Sequence, residues 1–217
     1  IAASLVAMAI PGSTASAVPN EYIESFTTTA YRDNAANLAH WNTVAGRLEL
    51  PPLATATLSA YITGAARDVV VRGDLAFVAD GPQGLRIFNI NNTAAPSLVG
   101  TYDTPGFARG VAVAGEHAYV ADDASGLLVI SIANPAAPTL AGSYNTSGSA
   151  MGVAVSGNVA LIADFVGLQS LNISNPASPT LTSTTYPPSG NVYDVAIDGD
   201  QAYVAIGSAG MYVFSLA

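Results

Sequence analysis

The sequence predicts an all-β fold, a β-propeller of four-stranded antiparallel blades, and two observations lead to this prediction. One stretch recurs along the chain, and its first turn glycine stands at steps of 42 residues, at Gly73, Gly115, Gly157 and Gly199. Within each copy, apolar residues come in short runs that Gly, Pro, Asn and Asp interrupt, as in short strands joined by turns. A fixed period near 40 with several strands per unit is typical of propeller blades.

Composition fits strands that are buried on both faces. Of the 217 residues, 50% are hydrophobic and only 10% are charged, which is oilier than an ordinary soluble surface requires. After the N-terminus, no apolar run approaches the roughly 18 residues that a membrane-spanning helix needs. We therefore expect that the mature chain does not insert into a membrane.

The charged and reactive residues argue against several classes of function. The net charge is −9 and the six basic residues are all arginine, so no basic stripe exists to bind a nucleic acid backbone. The sequence has no cysteine, which excludes disulfides, thiol nucleophiles and sulfur-ligated zinc. Two histidines cannot form a three-histidine metal centre. The sequence therefore indicates no cofactor, and we expect the partner to be a protein or a carbohydrate.

The chain begins with a segment that is typical of secreted proteins. Residues 1–17 combine an apolar core, a Pro-Gly break and Ala15-Ser16-Ala17 as an A-x-A cleavage site. We interpret this segment as the back part of a signal peptide, incomplete because its positively charged start is absent. The mature chain is then expected to begin near Val18, outside the cytoplasm.

Residues 18–52 form a lead-in that does not share the repeat. The stretch around Trp41 predicts a cap or small hairpin that covers the exposed end of the array, since terminal units must hide an apolar face. The repeats follow over 53–217. They divide into an outer strand at 53–61, complete units at 66–102, 108–144 and 150–186, and a partial unit at 192–217.

Each complete unit predicts four strands, called a to d. In the second unit these are 110–114, 117–122, 127–132 and 139–144. Gly115-Glu116 between strands a and b suits a type II′ turn, which needs positive φ at its first central residue. Strand a consists of Val, Ala and Gly, and we expect it nearest the axis, where space is smallest.

The sequence leaves the number of blades open, because the fourth unit stops after strand c. In one interpretation, residues 53–61 supply the missing strand d and close a four-bladed ring. In the other, the chain is a fragment of a larger propeller.

The repeats resemble the LVIVD-repeat family, whose name comes from the strand c motif. That motif stands here as LRIFN at 85–89, LLVIS at 127–131, LQSLN at 168–172 and MYVFS at 211–215. The frame around it, GVAV-x-G-x-x-AYVAD followed by G-L and N-P-x-x-P-x-L-x-G-x-Y, is the closer match, and the resemblance covers 53–217. It implies a β-propeller on bacterial or archaeal surface and secreted proteins. It brings no established catalytic residues.

Three aspartates end strand b at the same step, and they are weak candidates for metal ligands. They are Asp80, Asp122 and Asp164, with Ile206 in the fourth unit. A ring of carboxylates could hold a cation at one rim of the propeller. The alternative, which we favour, is that each aspartate caps its own loop by accepting backbone hydrogen bonds.

The positions at which the repeats differ indicate a partner-binding face. The residue before strand a is Arg67, Arg109, Met151 and Tyr193 in turn, and Phe107 and Phe165 lie in neighbouring loops. In propellers these loops emerge on one face around the axis, so we expect a binding surface there. Simple drift at exposed positions is the competing explanation.

We therefore expect a secreted or cell-surface module that binds a protein or glycan, or acts in adhesion, without catalysis. The alternative is a propeller-type hydrolase or lactonase with an active site at the axial face. Such an enzyme needs converging His, Glu or Asp side chains, of which the sequence offers few.

Overall fold

A computed structural model describes residues 40–42, 47–49 and 64–216. The chain divides into two units, Ile1–Thr57 and Leu58–Ala217. The signal peptide expected at 1–17 and the outer strand expected at 53–61 lie outside the described residues, so both stay predictions.

The first unit contains a small antiparallel hairpin. Strand β1 (His40–Asn42) pairs with β2 (Arg47–Glu49), and Trp41 lies opposite Leu48. A small hairpin is what the sequence predicts around Trp41, whereas the covering role of Trp41 stays a prediction.

The second unit consists of four antiparallel sheets, each made of strands that follow one another along the chain. Blade 1 contains β3 (Asp68–Arg72), β4 (Leu75–Ala79), β5 (Leu85–Asn89) and β6 (Ser97–Tyr102). Blade 2 contains β7 (Gly110–Ala114), β8 (His117–Ala121), β9 (Leu127–Ser131) and β10 (Thr139–Tyr144). Blade 3 contains β11 (Gly152–Ser156), β12 (Val159–Ala163), β13 (Leu168–Asn172) and β14 (Thr180–Thr185). Blade 4 contains β15 (Asp194–Asp198), β16 (Gln201–Ile206) and β17 (Gly210–Ser215), with a 3-10 turn at Gly207–Ala209.

The predicted all-β class and propeller architecture are confirmed. In blade 2, strands a and d have the predicted bounds, and strands b and c end one residue earlier than predicted, at Ala121 and Ser131. The hairpin turn also has the predicted geometry: Gly115 has a φ of 55°, and the following Glu116 has no positive φ. A type II′ turn needs this combination.

The inner strands line a common axis. Strand β3 contacts β7, β7 contacts β11, and β11 contacts β15. These strands hold small residues, GVAVA in β7 and GVAVS in β11, which lets neighbouring backbones approach. One hydrogen bond joins blades 1 and 2 directly at the axis, because the Val111 N–H donates to Asp68 Oδ2 at 2.9 Å. The four sheets are thus the blades of a four-bladed β-propeller.

Adjacent blades pack face to face in dry seams. The first seam joins blades 1 and 2, the second joins blades 2 and 3, and the third joins blades 3 and 4. Each seam is one apolar cluster, centred on Phe77, Ile87, Val120 and Ile130 in the first, Tyr119, Val129, Ile162 and Leu171 in the second, and Leu161, Leu168, Val195 and Val204 in the third. A blade of this size cannot bury enough apolar area alone to offset its ordering entropy. The seams therefore hold the fold together.

The outer strands add a tight contact between neighbouring blades. Strand β10 has a β-bulge between Leu140 and Gly142, and Gly142 sits directly on the Asn-Pro corner of blade 3. A Cβ at Gly142 would overlap the Pro176 carbonyl oxygen and lie 2.7 Å from the Ala177 carbonyl carbon. In blade 3 the same bulge position is the exposed Ser183. A side chain is therefore excluded where the next corner packs.

Among the residues that the structure describes, no helix is long and apolar enough to span a membrane.

Candidate functional site

The three repeated aspartates end strand b of blades 1 to 3 and are almost completely buried. In blade 2, the Thr104 hydroxyl donates to Asp122 Oδ1 at 2.6 Å, and the Gly106 N–H donates to Asp122 Oδ2 at 2.7 Å. Burial raises the pKa of Asp122, hydrogen bonds from Thr104, Gly106 and Ser125 oppose this shift, and the charge of Asp123 adds to it. Asp122 thus fastens the loop that enters its own blade.

Each of the other two aspartates also binds within its own blade. Arg86 Nη1 donates to Asp80 Oδ2 at 2.8 Å in an ion pair. In blade 3, the Gly148 N–H and Gln169 Nε2 donate to Asp164 Oδ2 at 2.9 Å and 2.6 Å. Within the described part of the chain, no three His, Asp or Glu side chains are grouped so that they could hold a metal ion. Asp122 and Asp164 thus accept backbone hydrogen bonds from the loops that they follow in space, whereas Asp80 is held by the side chain of Arg86.

The loops after strand b and the loops before strand a meet on one face of the propeller. Isolated antiparallel bridges join the strand b loop of each blade to the entry of the next blade. The bridged pairs are Gly81 with Ala108, Asp123 with Ala150, and Phe165 with Val192. The residues that vary between repeats are neighbours of these bridges. We call the surface formed by Arg67, Phe107, Arg109, Phe165 and Tyr193 the variable face.

Two arginines and a phenylalanine form the first half of the variable face. The guanidinium of Arg67 lies 5.1 Å from the Phe107 ring centroid, and that of Arg109 lies 5.2 Å from it. Arg109 also donates to Asp123 Oδ2 from Nε at 2.9 Å and from Nη2 at 2.6 Å. Partial burial would raise the pKa of Asp123, but hydrogen bonds from Arg109 and Ser149 and the Arg109 charge outweigh it and lower the pKa.

Two aromatic rings form the second half of the variable face. The Phe165 and Tyr193 rings meet edge to face, with centroids 5.7 Å apart and planes at 88°. Tyr193 is 43% exposed. Met151, the third residue of the variable series, is half-buried and packs on the third seam. The structure thus groups five of the six predicted residues on the face, as one group of three and one pair, and packs Met151 against the third seam.

Two acidic side chains lie at the axial ends of the first and last inner strands. Asp68 and Asp194 begin β3 and β15. Burial raises the pKa of Asp194, a hydrogen bond from the Val195 N–H opposes this, and the charge of Asp68 adds to the shift. The axis therefore carries negative charge beside the arginines of the variable face.

The sequence predicts Asp123 only as an acidic residue of a solvated turn, and it does not predict its pairing with Arg109 or the backbone that positions it. The residue after the capping aspartate is Gly81, Asp123, Phe165 and Gly207 in turn, with φ values of 54°, 50°, 48° and 35°. This region suits glycine, tolerates Asp and is unfavourable for a bulky residue. The sequence did contain a signal for this backbone conformation. The position recurs at steps of 42 residues, and two of its four residues are glycines.

Phe165 gives a direct test of that strain. We expect Phe165→Gly to be about 1 kcal/mol more stable than Phe165→Ala, because only glycine adopts positive φ without steric cost. Urea unfolding of both variants measures the difference. The same pair of substitutions at Val166, which has no positive φ, should give the usual order, with alanine the more stable. Equal stability of the two Phe165 variants would contradict the strain.

Blade 1 carries an open groove of about 690 Å³. It is lined by Gly64, Pro82, Gln83, Arg86, Leu98, Thr101 and Asp103. Its charged groups are Arg86, which is paired with Asp80, and Asp103. This lining offers no nucleophile with an adjacent base, so we do not assign chemistry to it.

Solved structures similar to this chain are propellers, and they show the fold alone. The β-propeller domain of Myceliophteria thermophila Cps50 (Swd1) is 13% identical with a TM-score of 0.58, and the match covers 70% of this chain and 54% of that one. The WD40 β-propeller domain of Doa1 is 13% identical with a TM-score of 0.57, over 73% of this chain and 54% of that one. The chain thus spans about half the length of these natural propellers.

A designed protein of similar size also matches. The computationally designed Ika4 protein is 10% identical with a TM-score of 0.59, and the match covers 74% of this chain and 96% of that one. A search of the curated proteins finds no match.

The family model for the LVIVD repeat matches the chain four times, at residues 63–104, 105–146, 147–185 and 189–214. These matches follow the four blades and cover more than half of the sequence. The chain therefore belongs to the LVIVD-repeat family.

Proposed function

We propose that this chain is a non-catalytic binding module that acts outside a bacterial or archaeal cell, secreted or on the cell surface, and that it holds a protein or carbohydrate ligand on the variable face. The observation that carries this proposal is a contrast between two sets of residues, those that repeat in every blade and those of the variable face, which differ between blades. The seams and turns repeat from blade to blade, whereas Arg67, Arg109 and Tyr193 differ at one position and meet half-buried aromatic rings on one surface.

The side chains of the variable face are suited to recognition. Tyr and Phe are rigid for their size and give a large contact area for little lost side-chain entropy. Arg is enriched among the residues that contribute most to binding. Phe165 is fixed further by its bridge to Val192. A surface that is ordered before it binds loses less entropy on binding.

Charge adds a preference to this surface. Arg109 is paired with Asp123, so Arg67 supplies the positive charge on the face of a chain whose net charge is −9. A ligand with carboxylate or other acidic groups would be attracted there and turned toward Phe107. An acidic protein segment or an acidic glycan fits this surface best.

The electrostatics of the face support binding more than catalysis. Asp123 is the carboxylate that pairs with Arg109, and its pKa is lowered. A lowered pKa keeps Asp123 ionised, which suits an acceptor and not a general acid. We expect no turnover of generic esters, lactones or glycosides, and turnover that Asp123→Asn abolishes would favour a hydrolase.

Binding can be measured on an array of acidic and neutral glycans and on immobilised cell-surface proteins. We expect Arg67→Ala and Tyr193→Ala each to weaken binding at least tenfold, as for a central contact residue. Arg72→Ala is the matched control, because Arg72 ends the same strand as Asp68 at the opposite rim and donates to the Gly115 carbonyl. Unchanged binding in both face variants would refute the proposal. N-terminal sequencing of protein recovered from culture medium should begin near Val18.

A further inference from the structure

Three buried oxygen atoms in and beside blade 3 have no hydrogen-bond partner within the described residues. They are Thr146 Oγ1, Asp164 Oδ1 and Gln169 Oε1, and their residues are 6%, 0% and 2% exposed. Among the described residues one further atom shares this property, Asp80 Oδ1 in blade 1. Native proteins leave very few buried polar atoms unsatisfied, because desolvation without a hydrogen bond is costly. Three such atoms in one blade therefore indicate a common partner.

The three atoms lie around the carboxylate of Asp164. Gln169 Nε2 donates to Asp164 Oδ2 at 2.6 Å and to Ser147 Oγ at 2.9 Å. Gln169 Oε1 and Asp164 Oδ1 are the other oxygens of the same amide and carboxyl groups, so both flank this hydrogen bond. Thr146 directly precedes Ser147, whose hydroxyl donates to Asp164 Oδ2 at 3.2 Å. Because Nε2 already has two acceptors, reversing the Gln169 amide would break two bonds and satisfy nothing more.

Blade 2 shows how an equivalent aspartate is satisfied by protein groups alone. The hydroxyl of Thr104 donates to Asp122 Oδ1 at 2.6 Å, and the hydroxyl of Ser125 also binds the Asp122 carboxylate. Thr146 is the equivalent of Thr104, 42 residues later. The strand b loop of blade 3 is one residue shorter and contains no serine. Blade 3 therefore has one hydroxyl fewer beside its aspartate.

We infer that blade 3 binds one internal water molecule between Thr146, Asp164 and Gln169. Asp164 Oδ1 and Gln169 Oε1 accept hydrogen bonds, and the Thr146 hydroxyl can donate one. A water molecule donates two hydrogen bonds and accepts others, so one molecule satisfies all three atoms. About three hydrogen bonds is the usual number for a buried water.

A metal cation fits these atoms less well than water. Ca²⁺ takes about six to eight oxygen ligands, whereas this place offers three free oxygens. Within the described part of the chain, no three His, Asp or Glu side chains are grouped to hold a metal. The hydrogen-bonding complement of two acceptors and one donor is that of a water molecule.

The water site lies directly beneath the variable face. Asp164 immediately precedes Phe165, which belongs to that face and forms a bridge with Val192. The Gly148 N–H also donates to Asp164 and holds the loop that enters blade 3. The water takes the place that the Ser125 hydroxyl has in blade 2, and it completes the bonds that hold the loop carrying Phe165.

A crystal structure of the full chain that shows ordered solvent tests the inference. We expect one water oxygen within about 3.2 Å of Thr146 Oγ1, Asp164 Oδ1 and Gln169 Oε1. A Thr146 hydroxyl bonded directly to Asp164, with no water beside it, would overturn the inference. A bound ion would also overturn it, and about six oxygen ligands at about 2.4 Å would identify that ion.

Oxygen-17 magnetic relaxation dispersion of water counts long-lived internal waters in solution. Thr146→Val/Gln169→Leu leaves a water with one partner, so we expect the count to fall by one relative to the unaltered protein. Thr104→Val is the matched control, because blade 2 already has Leu128 at the position of Gln169 and Thr104 bonds Asp122 directly. This control should not lower the count. An unchanged count in the folded double variant would contradict the inference, and the crystal structure decides if that variant does not fold.

Discussion

Gly142→Ala is expected to lower the free energy of unfolding by about 3 kcal/mol. The added Cβ would overlap the Pro176 carbonyl oxygen and press on Ala177, both backbone groups of the next blade. The backbone of a rigid Asn-Pro corner cannot move to relieve this overlap, whereas a flexible side chain could change its rotamer. The second seam must therefore open, or the bulge in β10 must shift. Urea unfolding, monitored by far-UV circular dichroism, measures the change in the free energy of unfolding.

Ser183→Ala is the matched control for this prediction. Ser183 occupies the same bulge position one blade later, and it is exposed. It already carries a Cβ, so its replacement should change stability by no more than about 0.5 kcal/mol. If Gly142→Ala were as mild as Ser183→Ala, packing on the corner would not be what requires glycine.

Asp122→Ala should destabilise the protein by a similar amount, about 3 kcal/mol. The substitution leaves the buried Thr104 hydroxyl and the Gly106 N–H without the acceptor that they have now. It also opens a small cavity beside the loop. Asp103→Asn, which removes a charge at an exposed position, should leave stability within about 0.5 kcal/mol of the unaltered protein.

The Asp122 carboxyl also gives stability a defined pH dependence. Its pKa is raised in the folded state, mainly by burial, so the folded protein binds this proton more tightly than the unfolded chain. At neutral pH, burial of the ionised Asp122 carboxylate therefore lowers the free energy of unfolding by its full amount. This destabilisation is relieved as pH falls through the raised pKa, and the gain is complete below the unfolded value of about 3.9.

Asp122→Asn removes this titration while keeping the size of the side chain. The stability of the unaltered protein relative to Asp122→Asn should therefore rise as pH is lowered from 7 to 4. Chemical denaturation of both proteins across that range, in the same buffers, gives the difference. A relative stability that falls with falling pH would mean that hydrogen bonds outweigh burial at Asp122.

The local elements of the fold could be predicted because their causes are local. Strands follow from short apolar runs, and the turn at Gly115 follows from a glycine before a polar residue. Copies at a constant step then indicate blades, since each copy needs a neighbour to cover it. The bounds of β7 and β10 agree with the sequence for this reason.

Contacts between distant residues could not be predicted from one sequence. In the sequence, Gly142 is compatible with a turn or a β-bulge. Only the fold shows that a side chain is excluded there, because the corner at Pro176 packs against it. Asp80 shows the same limit. Its partner Arg86 lies in strand c of the same blade, at a position where the other blades carry Leu128 and Gln169.

The variable face was predicted in outline and not in detail. The steps of 42 place Arg67, Arg109 and Tyr193 on one rim. They do not show that Phe107 lies between two guanidinium groups or that Met151 turns inward to the third seam. Those outcomes depend on side-chain rotamers and loop backbone, which the repeat does not constrain.

The bridges from Gly81 to Ala108, from Asp123 to Ala150 and from Phe165 to Val192 link only blades that are consecutive in the chain. Order can therefore spread from any one blade to its neighbour without waiting for remote segments to meet. Loop closure is short at every step, so the entropy lost before each new contact forms stays small. We therefore expect ordering to be able to begin in any blade and to extend to the blades before and after it.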